Sequence, residues 1–227
     1  MEIEPIAYYH AALKGKFGVP RQSGLVPELH GRVIFEPDYR NADALRGIEG
    51  FDYLWLIWGF SLNGKPCGEW SPLVRPPLLG GNEHMGVFAT RSPFRPNPLG
   101  LSSVRLLEIV SSVDGPLLVV AGADLADGTP IYDIKPYLAY SDSHPDARGG
   151  FVDTNRWDTL DVVFPDNLKR FFSEEDFVVL CRILELDPRP QYHKDPERVY
   201  GVSFGGYDVR FKVSCEGVLK VVGIVEL

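Results

Sequence analysis

Three prolines within six residues constrain this chain more than any other feature. They lie in the run GVFATRSPFRPNPLGLS (86–102), where Pro93, Pro96 and Pro98 each fix their own φ and push the preceding residue toward extended geometry. Among and just before them sit Arg91, Arg95 and Asn97. Polar side chains on a stiffened loop lose little entropy on binding, so the segment reads as a preorganised site. An ordinary proline-rich surface loop with stray charges is the plain alternative. A second dense segment, DGTPIYDIKPY (127–137), favours the site.

Breakers dominate the composition, with 23 Gly and 19 Pro in 227 residues, and 12% of the chain is aromatic. That bias predicts many short strands joined by defined turns. Strands are expected at Ile3–Tyr8, Arg32–Phe35, Phe51–Phe60, Gly86–Thr90, Leu101–Val110, Leu117–Leu125 and Pro130–Tyr137, giving a mostly antiparallel sheet or barrel. Asn41 is placed to cap a short helix over Ala42–Gly47. Residues 61–85 form a long connection of the kind that is usually functional or covered by a partner. No strand–GxGxxG–helix unit occurs, so a doubly wound dinucleotide-type fold is unsupported.

A polar linker spans 138–156, and the style then changes. Asn167–Phe172 and Glu174–Leu186 read as helices, the second opened by Ser173 with Asp176 in a capping-box-like arrangement. Val199–Phe204, Tyr207–Val213 and Val218–Val225 read as a three-stranded meander turned at Gly205-Gly206 and Glu216-Gly217. The expected organisation is a mainly β barrel domain over 1–150 and a smaller α+β C-terminal domain over 157–227.

The net charge of −8 argues against a protein that holds nucleic acid by bulk electrostatics. Locally the sign reverses: Lys65, Arg75, Arg91, Arg95 and Arg105 outnumber Glu69 and Glu83. A basic site on an acidic body suits a selective, transient polyanion contact. Cys67, Cys181 and Cys215 show no metal or disulfide spacing, and the histidines are dispersed, so no metal is expected. No apolar run approaches membrane-spanning length and the N-terminal residues are acidic, unlike a signal peptide. The expectation is a soluble, cytoplasmic protein without a membrane partner.

In TPIYDIKPY, strand alternation puts Asp133, Lys135 and Tyr137 on one face, with Ile131 beginning it and Tyr132 and Ile134 pointing the other way. These three groups are close enough to share a ligand, or simply to neutralise one another. Pro136 places the strand end at an edge or rim. Residue chemistry alone therefore reaches a rigid polar pocket at a β rim, built from loops near 21–23, 91–97 and 124–137, and no particular reaction.

Those same motifs, with GVPRQSGL upstream, the PPLLGGNEHMG approach and the tail DPRPQYHKDPERVYGVSFGGYDVRFKV, resemble the TrmO (TsaA/YaeB) family over nearly the whole chain. The resemblance implies a β-barrel methyltransferase using S-adenosylmethionine to methylate the exocyclic nitrogen of threonylcarbamoylated adenosine at tRNA position 37. It also implies a homodimer whose C-terminal domain assists tRNA recognition. By that resemblance the donor lies against Arg21, Gln22, Ser23, Arg91, Leu101, Ala123, Asp124, Leu125 and Asp127. Arg95, Asn97, Asp133, Lys135 and Tyr137 become the candidates for holding and deprotonating the acceptor, and Tyr192, His193 and Lys194 for touching tRNA. One departure stands out: Ser61-Leu62 occupies the place where the family pattern leads one to expect a His and a polar residue. Two rivals remain at this stage: a non-catalytic barrel holding adenosylmethionine or another anion, and a methyltransferase of this fold acting on another substrate.

Overall fold

The computed structural model describes residues 2–15, 17–62, 70–81, 83–190 and 195–227. Cys67, Lys65, Glu69 and the tail residues Tyr192, His193 and Lys194 lie outside them. Among the described residues twelve strands form: β1 (Ala7–Ala11), β2 (His30–Phe35), β3 (Tyr53–Gly59), β4 (Leu73–Val74), β5 (Met85–Gly86), β6 (Leu99–Ser112), β7 (Gly115–Ala121), β8 (Thr129–Pro136), β9 (Asp161–Val163), β10 (Tyr200–Phe204), β11 (Tyr207–Val213) and β12 (Val218–Glu226). Helices are α1 (Ala139–Asp142), α2 (Phe151–Thr154), α3 (Asp166–Lys169) and α4 (Glu174–Glu185).

Six strands close a barrel in the order β1-β2-β7-β6-β3-β8, every neighbouring pair antiparallel. Closure leaves no unpaired edge, which a set of short strands otherwise exposes. β6 makes it possible through its length: its first half pairs with β3, its second with β7, and the register shifts between Leu106 and Glu108. Leu54, Leu56 and Trp58 alternate into the interior from β3 and meet Tyr9, Val33, Val104, Leu118, Val120 and Ile131. Two residues opposite each other decide how tightly the wall packs: Gly100 pairs with Trp58, and a Cβ on Gly100 would lie 2.2 Å from the indole. Only glycine admits the ring there.

The C-terminal sheet runs β10-β11-β12-β9. Its three-stranded meander is as expected, and β9 adds a fourth strand parallel to β12. α4 begins where Ser173 accepts from the Asp176 N–H at 3.1 Å and ends one residue before the expected Leu186. It buries Val179, Leu180, Ile183 and Leu184 against the sheet. This core recruits Leu13, Val26 and Leu29 from the N-terminal segment, so the chain between β1 and β2 serves both units. Gly18 (φ 96°) lies where a Cβ would stand 2.7 Å from Val202 Cγ1.

Four local expectations are corrected. Gly86–Thr90 is not a strand; β5 ends at Gly86 and Val87–Ala89 is a 3₁₀ turn, because Thr90 closes back onto Val87. Residues 42–45 also form a 3₁₀ turn rather than an α-helix reaching Gly47, although Asn41 caps it by accepting from Asp43 N–H at 2.9 Å. The first strand starts at Ala7, four residues later than Ile3. The polar linker contains two single-turn helices, α1 and α2.

Candidate functional site

One end of the barrel opens into a cavity of about 490 Å³. Its wall comes from the segment 19–22, the end of β3 with Phe60-Ser61-Leu62, the proline loop (Thr90, Arg91, Pro93, Arg95), the start of β6 and residues 124–126 with Thr129. Four sequence-distant stretches thus converge, three of them named by the sequence.

The proline loop is held by its own polar groups. Thr90 Oγ1 donates to the Val87 carbonyl at 2.9 Å, and the Ser92 N–H donates to Thr90 Oγ1 at 3.2 Å. Arg95 Nη1 donates to the Thr90 carbonyl at 2.8 Å and reaches the Ser92 carbonyl at 3.4 Å. Arg95 therefore lines the cavity while stapling the loop, and Arg91 carries the freer cation. Arg91 Nη1 donates to Gln22 Oε1, and Gln22 Nε2 donates to the Arg21 carbonyl at 2.5 Å. The two motifs are thereby joined side chain to side chain.

Asp124 lines the same cavity, at the end of a hydrogen-bonded line. The Trp58 indole N–H donates to Ser102 Oγ at 2.9 Å, and Ser102 Oγ donates to Asp124 Oδ1 at 2.5 Å. Burial pushes the Asp124 carboxyl above the usual range, against the lowering effects of Ser102, of Arg91 and of the Ser23 backbone N–H. The wall around it is apolar and aromatic: Trp55, Trp58, Phe60, Leu99, Leu101 and Leu125. Such a site suits a ligand with a flat apolar body and both cationic and anionic groups.

Of the residues assigned to a donor, Arg21, Gln22, Arg91, Leu101, Asp124 and Leu125 line the cavity. Ser23 reaches it through its backbone contact to Asp124. Ala123 is fully buried in the barrel core behind the wall. Asp127 turns to β1, its Oδ1 meeting His10 Nδ1 at 3.0 Å and accepting from the Ala11 N–H at 3.2 Å.

The acceptor candidates divide differently. Asn97 is exposed on the loop, where its carbonyl accepts from the Leu99 N–H at 2.7 Å. Asp133, Lys135 and Tyr137 do share the outer face of β8, with Lys135 Nζ 2.8 Å from Asp133 Oδ2. Ile131 does not join them; it is buried inside the barrel, because the register between β3 and β8 slips between Ile57 and Trp58 and breaks the alternation at Tyr132. Tyr137 lies 5.5 Å from Trp55, ring to ring, and 6.2 Å from Tyr53. Trp55 also lines the cavity and donates from its indole to Asp142 at 2.7 Å. It is the hinge between the inner cavity and the outer polar face.

Sequence reasoning passed over Trp55, Trp58, Phe60, Thr90 and Ser102, reading residues 51–60 as a plain core strand. Aromatic residues at both parities of that strand were the available signal, since a half-buried strand needs them on one face only. Ser61 and Leu62 do line the cavity, so the departure from the family pattern falls within the site. Among the described residues no group of three His, Cys, Asp or Glu is arranged to hold a metal, and no helix is long and apolar enough to cross a membrane.

Comparison with known proteins agrees over the whole chain. Residues 8–143 match the tRNA-methyltransferase O N-terminal domain and residues 158–227 the TrmO C-terminal domain. The chain is 40% identical over 224 residues to the tRNA (adenine(37)-N6)-methyltransferase of Escherichia coli K12, covering 95% of this chain and 94% of that one. A putative S-adenosylmethionine-dependent methyltransferase of Pseudomonas aeruginosa, RcsF, is 36% identical, with 98% and 96% covered. The crystal structure of TrmO from Pseudomonas aeruginosa superposes with a TM-score of 0.77 at 29% identity, covering 99% of this chain and 98% of the other.

Proposed function

The chain belongs to the tRNA-methyltransferase O family, and from that premise we propose that its cavity takes S-adenosylmethionine and serves methylation of N6 on the threonylcarbamoylated adenosine at tRNA position 37. The protein is a methyltransferase dependent on S-adenosylmethionine, with tRNA adenosine 37 its acceptor by homology. The observation that carries the donor reading is the presence of a mostly buried carboxylate, Asp124, and a cation, Arg91, held by Gln22, in one aromatic-walled cavity of about 490 Å³.

That donor set fits the group. Asp124 is placed to accept from hydroxyl or ammonium donors, Arg91 and Gln22 to meet a carboxylate, and the tryptophan and leucine walls to cover a flat heterocycle. Bound there, the donor supplies a methyl group on a sulfonium centre. The protein's own contribution is then chiefly alignment, because a carboxylate paired tightly with a sulfonium would stabilise the ground state as much as the transition state.

The acceptor nitrogen carries a carbamoyl group that already acidifies its proton, so a modest base is enough. Asp133 takes that proton directly, or through Tyr137, and Lys135 stabilises the anion left behind. Trp55 links this face to the cavity and offers a ring for the target base to stack on. The homodimer is assigned from the family resemblance, and the exposed side chains of Leu99 and Leu101 in the cavity wall support a second copy closing over it.

The rival reading, a donor-binding barrel without turnover, draws on the Asp133–Lys135 pair, which neutralises itself outside the cavity. Nucleoside mass spectrometry decides. Purified protein is incubated with S-adenosylmethionine and tRNA carrying threonylcarbamoyladenosine. A gain of one methyl on that nucleoside, and none on unmodified adenosine, is the expected result. Donor binding without any gain overturns the catalytic reading in favour of the module.

A further inference from the structure

Arg21 touches more than the donor cavity. It also lines a second cavity of about 130 Å³ between residues 17–21 and the end of α4 with Asp187-Pro188-Arg189. Its Nη2 donates to the Asp187 carbonyl at 2.7 Å, and its guanidinium lies 3.8 Å from the centre of a Trp157 ring. Both partners belong to the C-terminal unit.

The carbonyl that receives Arg21 is unusually well held. Asp187 is the one non-glycine residue with positive φ among the described residues, at 51°, a region that costs most L-residues strain but that Asp tolerates. Its carboxylate is gripped in two places by Arg189, at 2.8 and 2.9 Å, with both side chains largely buried. A bidentate pair of this kind fixes direction as well as distance. On its other side Arg21 leads to the donor site, since its own carbonyl accepts from Gln22 and Gln22 accepts from Arg91. A continuous line of contacts therefore runs from Trp157 and Asp187 to the cation of the cavity.

Charge argues against the alternative duty for this unit. Residues 157–227 carry thirteen acidic against nine basic residues, the wrong balance for gripping phosphates. We propose that the C-terminal unit buttresses the donor site, with Trp157 and Asp187 as positioning residues that set donor affinity through Arg21. The inference rests on the reading that the cavity takes S-adenosylmethionine. It assigns the unit a part in donor binding in addition to anything it does for tRNA.

Calorimetry on the full-length protein with S-adenosylmethionine tests it, combined with KM values for donor and for tRNA. Trp157→Ala is expected to raise the donor Kd about 5- to 30-fold while the tRNA KM stays within about twofold. Trp157→Phe restores most of the affinity, because it returns an aromatic face to the guanidinium. Arg189→Met, which frees the Asp187 carboxylate, weakens donor binding in the same direction and carries the test should Trp157→Ala fail to fold. Unchanged donor Kd in both Trp157→Ala and Arg189→Met overturns the inference. A raised tRNA KM at constant donor Kd also overturns it and returns the unit to tRNA recognition. If the unmodified protein itself binds no S-adenosylmethionine, the donor reading fails first, and visibly so.

Discussion

Two carboxylates, Asp124 and Asp133, lie on neighbouring parts of one barrel and are equipped in opposite ways. Asp124 sits in the cavity wall, fed by Trp58 through Ser102, and burial raises its pKa. Asp133 lies on the outer face of β8, nearly half exposed, paired with the still more exposed Lys135. The lesson is that depth assigns the work. A carboxylate at the end of a fixed hydrogen-bonded line is suited to hold a ligand; one with solvent access and a movable partner is suited to exchange a proton.

The sharpest way to break this contrast is at the outer carboxylate. Asp133→Asn is expected to lower turnover about 10²- to 10⁴-fold while calorimetry shows unaltered donor binding. Turnover within a few-fold of the parent protein would remove Asp133 from the chemistry. Next in size is Gly100→Ala, which drives a Cβ into Trp58 and so disturbs the line feeding Asp124. Overpacking of this kind costs about 1–3 kcal/mol or more, read as a lower denaturant midpoint, and donor affinity should fall with it.

Asp124→Asn sharpens the comparison by separating affinity from stability. Donor binding should weaken by about 1–3 kcal/mol, seen in the Kd. The ligand-free protein should meanwhile gain stability at neutral pH. The sign follows from the direction of the shift: a carboxyl whose folded-state pKa lies above its unfolded value favours folding at low pH and loses that contribution as pH rises through the folded pKa. By the same shift, donor affinity should decline as pH falls through the raised Asp124 pKa, where the acceptor oxygen becomes protonated. A Kd that stays constant as the pH is lowered from neutrality would contradict that role. Least affected of all should be the stability of Lys135→Met, since an exposed ion pair contributes about 0–1 kcal/mol; a thermal melt checks it, and a larger loss would mean the pair is structural.

Much of this molecule was readable in advance because its signals are local. Glycine and proline spacing announced short strands, and the absence of a glycine fingerprint removed the doubly wound alternative. Ser173 and Asp176 announced α4 because capping uses neighbours in sequence. The polar residues Arg21, Gln22 and Arg91 were singled out because they lie in contiguous motifs that carry the family resemblance. What escaped was set by distance or by register. The Trp58–Ser102–Asp124 line joins three segments far apart in sequence, so no window contains it. The slip at Tyr132 that sends Ile131 inward and Asp133 outward exists only because β8 pairs with β3. Arg95 lines the cavity, and only the fold shows that its Nη1 also staples the loop through the carbonyls of Thr90 and Ser92.

The family, the β-rich character and the chemistry available near the proline loop were legible without the fold, because composition, turn residues and long motifs are written along the chain. Closure of the barrel, the depth of Asp124, the outward turn of Asp127 toward His10 and the clasp of Arg21 by Trp157 and Asp187 were decided only by tertiary structure. Burial and partnership are properties of residues brought together across long separations. They determine which of several similar charges is desolvated, which is neutralised and which is left to act.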